Sequence, residues 1–303
     1  MGADIDKQLE PVVCLICGKD ETDLLVRAGE RKLVRCRHDG LIYLNPRPTL
    51  NALRDYHAAF IRTDNLPLFH ERRVPMLQRE AEAITRFKCR GNLLDIGCGT
   101  GAFFERFRNG DWRFWGVDPA FLGVTMAQGM RGAEVFKGTL PEANYPSGFF
   151  DVISILDTLY YEPDPKRMLL EVRRVLKDDG ILAVEIPGVT HTFLRYRGPF
   201  AWLMDGQWTS GLLAISNHLY YFSPRTFRLL LEAAGFRLVK EIPEQASLGS
   251  GGAASLVSAA HFTLARVLFK LSRGKLSIAG KELYLAVKSA EGRGFSPADA
   301  GPR

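Results

Sequence analysis

The chemistry-bearing residues of this chain fall in three places. The first is LLDIGCGTGAFF, Leu93 to Phe104, where an apolar run enters Gly97, Gly99 and Gly101 and continues into a helix-like segment. Glycines let a backbone turn sharply and approach a ligand closely, with the N–H groups of the following helix facing it. The spacing is G-x-G-x-G, not the G-x-G-x-x-G of a dinucleotide loop, and Asp95 sits two positions before the first glycine. A carboxylate there opposes a pyrophosphate and suits a ligand presenting an ammonium group and a positive sulfur. A second apolar run ends in Val117-Asp118. A carboxylate at a strand tip is well placed to accept both hydroxyls of a ribose.

The second place is a pair of short turns, CLICG (Cys14 to Gly18) and CRHDG (Cys36 to Gly40), followed by LIYLNPRP. Five cysteines are an odd number, and Asp4, Asp6, Lys7 and Glu10 interrupt the apolar character an export signal needs. Reduced thiols or metal ligands are therefore expected over disulfides, and the cytoplasm is the expected location. The third place combines Tyr160-Tyr161 with NHLYYFSPRTF, Asn217 to Phe227, which carries His218.

These residues need a scaffold. The chain has 303 residues, 46% of them hydrophobic and 24% charged, enough for a sizeable core in one large domain with a small satellite. The formal charge of +6 is small for this length and does not argue for a nucleic-acid partner. Strand-like runs lie near 92–96, 113–117, 133–136, 150–156, 180–186, 236–242 and 282–288. Helical patterns lie near 68–88, 101–109, 120–130, 165–177 and 224–234. This alternation predicts an α/β fold, a mostly parallel sheet of seven strands covered by helices on both faces. Asp178-Asp179-Gly180 is expected to cap the 165–177 helix. The domain reading is a module over 1–50, a helical linker over 51–90, a ligand-binding domain over 91–290 with insertions 188–216 and 245–280, and a disordered tail over 291–303.

The motif order resembles the class I S-adenosylmethionine-dependent methyltransferases. LLDIGCGTG is similar to their first motif, Val117-Asp118 to their second, FFDVISILDTLYYEPDP to the stretch around their fourth strand, and EVRRVLKDDGILAVEIP to the next helix and strand. The resemblance covers about 200 residues, Asn92 to Lys288, and implies a Rossmann-like fold with S-adenosylmethionine as cofactor. It implies that Asp95, Gly97, Gly99 and Gly101 hold the methionine end and Asp118 the ribose. Leu140 would lie against the adenine, and Leu156 and Asp157 would border the methyl group.

The chain also resembles small-molecule methyltransferases of the ubiquinone-biosynthesis type, and many relatives of this methyltransferase type begin with a zinc-ribbon-like module reading C-x-x-C-G twice and then a Leu/Tyr/Asn-Pro-Arg-Pro run. That resemblance implies structural zinc on Cys14, Cys17, Cys36 and Asp39. Two other readings stay open: His38 in place of Asp39, or a module that kept its fold and lost its metal.

Methyl transfer from a sulfonium needs alignment, a dry site and, for an O–H, N–H or acidic C–H acceptor, a base. His218 is the candidate base, with His191 the weaker one. Tyr160 and Tyr161 stand where related enzymes carry Glu-His and offer aromatic faces instead, either to an acceptor or to their own helix. The insertion 188–216, with Phe193, Phe200, Trp202 and Trp208, is expected to cover the acceptor. In the second insertion Leu256, Ala260, Leu264, Val267, Leu268 and Leu271 make one helical stripe, and no acidic residue occurs between Ala253 and Gly280. Such a stripe ordinarily packs on its own domain. The alternative is a peripheral membrane contact through 253–273 or a cover for a lipid-like acceptor. The expected acceptor is a small or lipid- or saccharide-linked metabolite. The other readings are RNA base methylation and a non-catalytic S-adenosylmethionine-binding scaffold.

Overall fold

The computed structural model describes residues 8–28, 30–53, 66–107, 109–197, 218–245, 253–274 and 276–290. The N-terminal module holds β1 (Leu9–Glu10), β2 (Thr22–Ala28), β3 (Arg31–Cys36), β4 (Ile42–Leu44) and β5 (Arg47–Pro48). Strands β2, β3 and β4 form an antiparallel meander, and β1 pairs with β5. Helix α1 (Leu66–Thr85) then leads to β6 (Gly91–Ile96), β7 (Trp112–Asp118), α2 (Phe121–Ala127), β8 (Glu134–Lys137) and α3 (Leu140–Ala143). After them come β9 (Phe150–Leu156), α4 (Pro165–Val175), β10 (Leu176–Pro187), α5 (Val189–Arg197) and β11 (Tyr220–Tyr221). The chain continues through α6 (Pro224–Ala233), β12 (Phe236–Glu244), α7 (Ala253–Leu271) and β13 (Lys281–Lys288).

Seven strands form one sheet in the order β12-β13-β10-β9-β6-β7-β8. Only β13 runs against its neighbours; the pairs among β6 to β10 are all parallel. The strand order reverses at β6, which has β7 on one side and β9 on the other, so the carboxyl ends of β6 and β9 open a crevice. Alternate residues face opposite sides. Leu94, Ile153 and Val184 join α4 and α6 through Leu169, Val172, Phe227 and Leu230. Leu93, Val152 and Ala183 join α1 through Leu77, Ala81 and Ile84. Helix α1 is thus a packed layer of the sheet. The helix starts follow local rules: Asp164 accepts the Arg167 N–H ahead of Pro165, and Ser223 with Thr226 makes a capping box around Pro224.

Three expectations change. The segment after the glycine loop is a short 3-10 turn, Phe104–Arg106, and not a helix over 101–109. Its path follows ring packing, with Phe104 and Phe107 both set against Phe114. The helix after Asp164 stops at Val175, and Gly180 is no cap. Leu176 already pairs with Phe150, and the register shifts before Ile181, so strand pairing overrides the turn signal. Among the described residues of the α7 stripe, most do not pack inward, and Leu268 is part-buried. Ala265 is fully buried, whereas Leu264, Val267 and Leu271 are 52%, 47% and 76% exposed. No helix of the described residues is long and apolar enough to cross a membrane. The expected cover residues Phe200, Trp202 and Trp208 and the tail 291–303 lie outside the described residues.

Candidate active site and metal cluster

The crevice is lined first by the glycine loop. Gly97 takes φ +76°, and a Cβ there would lie 2.2 Å from Thr158 Oγ1, so the loop and the segment after β9 touch with no room for a side chain. The Gly97 N–H bonds Val117 O at 2.7 Å, which ties the loop to the tip of β7. Asp118 follows at that tip. Its Oδ2 accepts the Gly99 N–H at 2.9 Å and its Oδ1 the Ala120 N–H at 2.8 Å. Each oxygen keeps acceptor capacity for a further donor. Burial raises the Asp118 pKa, and those two amides pull it back. Asp95, also buried, accepts the Ser154 hydroxyl at 2.7 Å. Burial pushes Asp95 up to about 7, opposed by Ser154 and by the charge of Arg73. Leu140 opens α3 and is buried in the main apolar cluster. The nearby acid, Glu142, is engaged in capping: its Oε2 accepts the Thr139 N–H at 2.7 Å.

Beside Asp95 lies a buried charged knot. Asp157 follows the tip of β9 with φ +60°, an uncommon backbone for a residue with a Cβ. Its Oδ2 lies 2.5 Å from Lys281 Nζ and 3.6 Å from Arg73 Nη1. Glu185, on β10, lies 2.5 Å from Lys281 and 3.1 Å from Arg73. Burial would raise the Asp157 pKa, but Lys281 and Arg73 more than reverse this and hold it below the ordinary carboxylate range. Glu80 of α1 is fully buried near Glu185; desolvation first, then the Glu185 charge, pushes it well above its ordinary value. Burial beside another carboxyl thus disfavours the charged form of Glu80, while Arg73 and Lys281 face both Asp157 and Glu185.

The third part of the site is aromatic. The His218 ring centroid lies 4.1 Å from Tyr160, 5.1 Å from Tyr161 and 5.6 Å from Tyr221. His218 Nδ1 is buried and has no hydrogen-bond partner among the described residues. Burial lowers its pKa to about 4, so the imidazole is neutral at pH 7. The Tyr160 hydroxyl donates to Asp157, and burial together with that carboxylate keeps it protonated. Tyr160 is thus buried, with its ring packed on Tyr161 and His218 and its hydroxyl committed. His191 stands apart, 5.2 Å from His261 of α7.

In the N-terminal module one ligand atom each from Cys14, Cys17, Cys36 and Asp39 lies within 4.8 Å of the others. Cys14 Sγ donates to Asp39 Oδ2 at 3.1 Å, and Cys17 and Cys36 sulfurs are 3.5 Å apart. A tetrahedral zinc with bonds of about 2.3 Å places sulfurs roughly 3.8 Å apart, so the donors fit one. Both turns close alike, Gly18 N–H to Cys14 O and Gly40 N–H to Cys36 O, which makes them a matched pair. Asp39 Oδ1 accepts the Leu41 N–H at 2.8 Å, which aims the carboxylate inward. His38 points away, to Glu21 and Lys19. Burial, with Asp39 beside them, raises the Cys14 thiol well above its ordinary value and Cys17 to about 11. A dication would reverse that cost.

The glycine loop, Asp95, Asp118, Leu156 and Asp157 thus sit on adjoining strand tips, with Tyr160, Tyr161 and His218 beyond Asp157. The sequence reading did not single out Arg73, Lys281, Glu185 or Glu80. The available signal was Glu185 inside the apolar run AVEIP.

The comparisons agree with this geometry. The methyltransferase domain family model matches residues 68–241. A chain from the complex between the Haloferax volcanii Trm112 methyltransferase activator and a methyltransferase superposes with a TM-score of 0.56 at 17% identity, covering 80% of this chain and 99% of that one. An S-adenosylmethionine-dependent methyltransferase from Mesorhizobium loti superposes with a TM-score of 0.50 at 18% identity, covering 68% and 96%. No curated protein matches the chain at a significant level. With more than half its length matched by the family model and the strand order and glycine crevice in place, the chain belongs to the methyltransferase domain family and is an S-adenosylmethionine-dependent methyltransferase.

Proposed function

We propose that the protein methylates a small or lipid- or saccharide-linked biosynthetic acceptor at the crevice edge beyond Asp157. The observation that carries this reading is the ring cluster of Tyr160, Tyr161, Tyr221 and neutral His218, whose buried Nδ1 is unpartnered among the described residues. An unpaired buried polar atom is costly, and an acceptor O–H or N–H would satisfy it. Its low pKa fits His218 better to orienting the acceptor by a hydrogen bond than to storing a proton. Aromatic faces at the same edge suit a partly apolar acceptor and attract a cation.

S-adenosylmethionine supplies, when bound, an electrophilic methyl group on a positive sulfur. Asp118 is placed to take the ribose hydroxyls with its remaining lone pairs, and Asp95 and the Gly97 to Gly101 backbone to hold the methionine end. Leu140 covers the adenine side, and Leu156 and Asp157 border the methyl position. Zinc on Cys14, Cys17, Cys36 and Asp39 is structural in this reading, because four protein donors would fill a tetrahedral shell and leave no open position.

The outer face of α7 favours a lipid-linked acceptor over a freely soluble one. Leu264, Val267 and Leu271 are exposed beside exposed Arg266, Lys270 and Arg273. Contact of His261 with His191 sets this helix beside α5, which follows β10 at the acceptor edge. An exposed apolar stripe flanked by cations suits an anionic bilayer surface.

The test uses methyl-labelled cofactor with fractionated lipid and aqueous cell extracts. Label is expected in the lipid fraction, lost in His218→Ala with cofactor affinity intact. Cofactor binding with no label in either fraction would instead support a scaffold. Label in RNA would support base methylation. In calorimetry Asp118→Ala is expected to weaken cofactor binding by roughly tenfold or more, as loss of charge-assisted hydrogen bonds of about 1.5–3 kcal/mol requires.

A further inference from the structure

We infer that the N-terminal module is a splint for the acceptor side of the active site: its strand β4 templates β11, and Arg47 locks the loop after β9 to that strand. This rests on the proposed acceptor role of the ring cluster and asks what holds that cluster together.

Strand β11 does not belong to the seven-stranded sheet. It is the fourth strand of the module's sheet, pairing Tyr220 with Tyr43 and Tyr221 with Ile42. The residue between His218 and that strand is gripped from both sides. Leu219 N–H donates to Tyr160 O at 2.9 Å, and Leu219 O accepts the Leu44 N–H at 2.9 Å. One backbone unit therefore joins the module, the His218 segment and the Tyr160 turn. Arg47 adds a second joint. Its Nη1 donates to Pro163 O at 2.6 Å and to the Tyr220 hydroxyl at 3.0 Å, and that hydroxyl donates to Pro163 O at 2.9 Å. The packing is continuous too, since Cys14, Cys36, Leu41 and Tyr43 share one apolar cluster with Leu159, Tyr160 and Leu219; that cluster also takes in Val117 and Leu140, so the hydrogen bonds and not the packing single out the acceptor half.

The module reaches this position through its metal cluster. Cys36 ends β3, Asp39 sits in the turn, and β4 begins at Ile42. A short hairpin of this kind is marginal alone, and ligation of Cys36 and Asp39 by one ion fixes its turn. By contrast, the hydrogen bonds of the glycine loop and Asp118 described above involve no residue of the module. Metal state is therefore coupled to the acceptor half of the site and not to the cofactor half. Arg47 is a positioning residue.

Hydrogen exchange of the full chain, zinc-loaded and then chelated, tests this. On chelation amides over 31–44, 160–163 and 219–222 are expected to lose protection by about tenfold or more, while those over 93–96 and 114–117 change by less than about twofold. Calorimetry should show unchanged S-adenosylmethionine affinity in both states. Protection at 219–222 that survives loss at 31–44 would overturn the splint. Protection at 31–44 that survives chelation would overturn the role of the metal. Arg47→Met in the zinc-loaded protein tests the second joint without unfolding the module. It should raise exchange over 160–163 and 220–221, with partial rescue in Arg47→Lys; wild-type exchange in Arg47→Met removes that joint. These outcomes are independent of the His218 reading, which falls separately if His218→Ala retains full methyl transfer.

Discussion

Replacing Gly97 with alanine probes the contact on which the crevice depends. Two costs are legible in the geometry. The backbone at this position has φ +76°. Alanine there costs about 1–2 kcal/mol because its Cβ approaches the following carbonyl. The new methyl would also lie 2.2 Å from Thr158 Oγ1, 2.8 Å from Thr158 Cγ2 and 3.0 Å from Thr158 Cβ. Overpacking of this kind costs about 1–3 kcal/mol. Together they give roughly 3 kcal/mol, with a fall in melting temperature of about 6–12 °C for a domain of this size class. The two costs separate in a double-mutant cycle. Thr158→Ala deletes the two nearest atoms, so Gly97→Ala in that background should recover the steric part, a coupling of about 1 kcal/mol or more, and keep the left-handed penalty. Urea unfolding of the four proteins provides the assay. Additive effects would mean that the Thr158 contact does not exist as described. A Gly97→Ala protein as stable as wild type would refute both parts of the reasoning.

Three further outcomes are expected. His218 is neutral in the fold with a pKa of about 4 against an ordinary 6.5, so below pH 6.5 the unfolded chain binds the proton first and stability falls as pH drops towards 4. Between about pH 7.5 and about pH 5 this amounts to about 2 kcal/mol, visible as the difference in urea midpoint shift between wild type and His218→Gln. Metal analysis should give about one zinc per chain, lost in Asp39→Ala and Cys36→Ala but retained in His38→Ala, whose ring faces Glu21. Lys281→Met would strip Asp157 and Glu185 of their shared cation and destabilise the fold by roughly 3–5 kcal/mol in chemical denaturation, the cost of breaking a buried pair from one side. An unchanged midpoint would mean that the knot is solvated.

The sheet and the juxtaposition of the glycine loop with the strand tips were legible because their determinants are local. Apolar runs of strand length announce β6, β7, β9 and β10, and one strand, one loop and the next strand tip contain Asp95, Gly97 and Asp118. The two cysteine turns were legible for the same reason, each being closed by its own glycine. The acceptor half was not. Its parts come from α1, the turn after β9, β10, β11 and β13, and no window of sequence spans Arg73, Asp157 and Lys281. Pairing of β11 with β4 is likewise invisible locally, since two residues of Tyr-Tyr carry no strand signal. The α7 stripe was legible as a pattern but not as a direction. Its inward face is made by Ala265 with Phe262 and Phe269 part-buried, while Leu264 and Leu271 face out.

This split has a physical consequence for how the two halves meet. Asp157 is the residue both share: it is proposed to border the methyl position, and it pairs with Lys281 and Arg73 and accepts the Tyr160 hydroxyl. Lys281 and Arg73 face its carboxylate and hold its pKa below the ordinary range, and the same two cations reach Glu185. That carboxylate accepts the Tyr160 hydroxyl, and the backbone carbonyl of the same residue accepts the Leu219 N–H next to His218. The knot therefore need not touch an acceptor to shape its site. It sets a rigid edge at the cofactor side, against which the module, through β11, holds the rings from the other side. In the proposed reading, changing the acceptor would then require changing the rings and their splint, while the crevice proposed to hold the cofactor stays as it is.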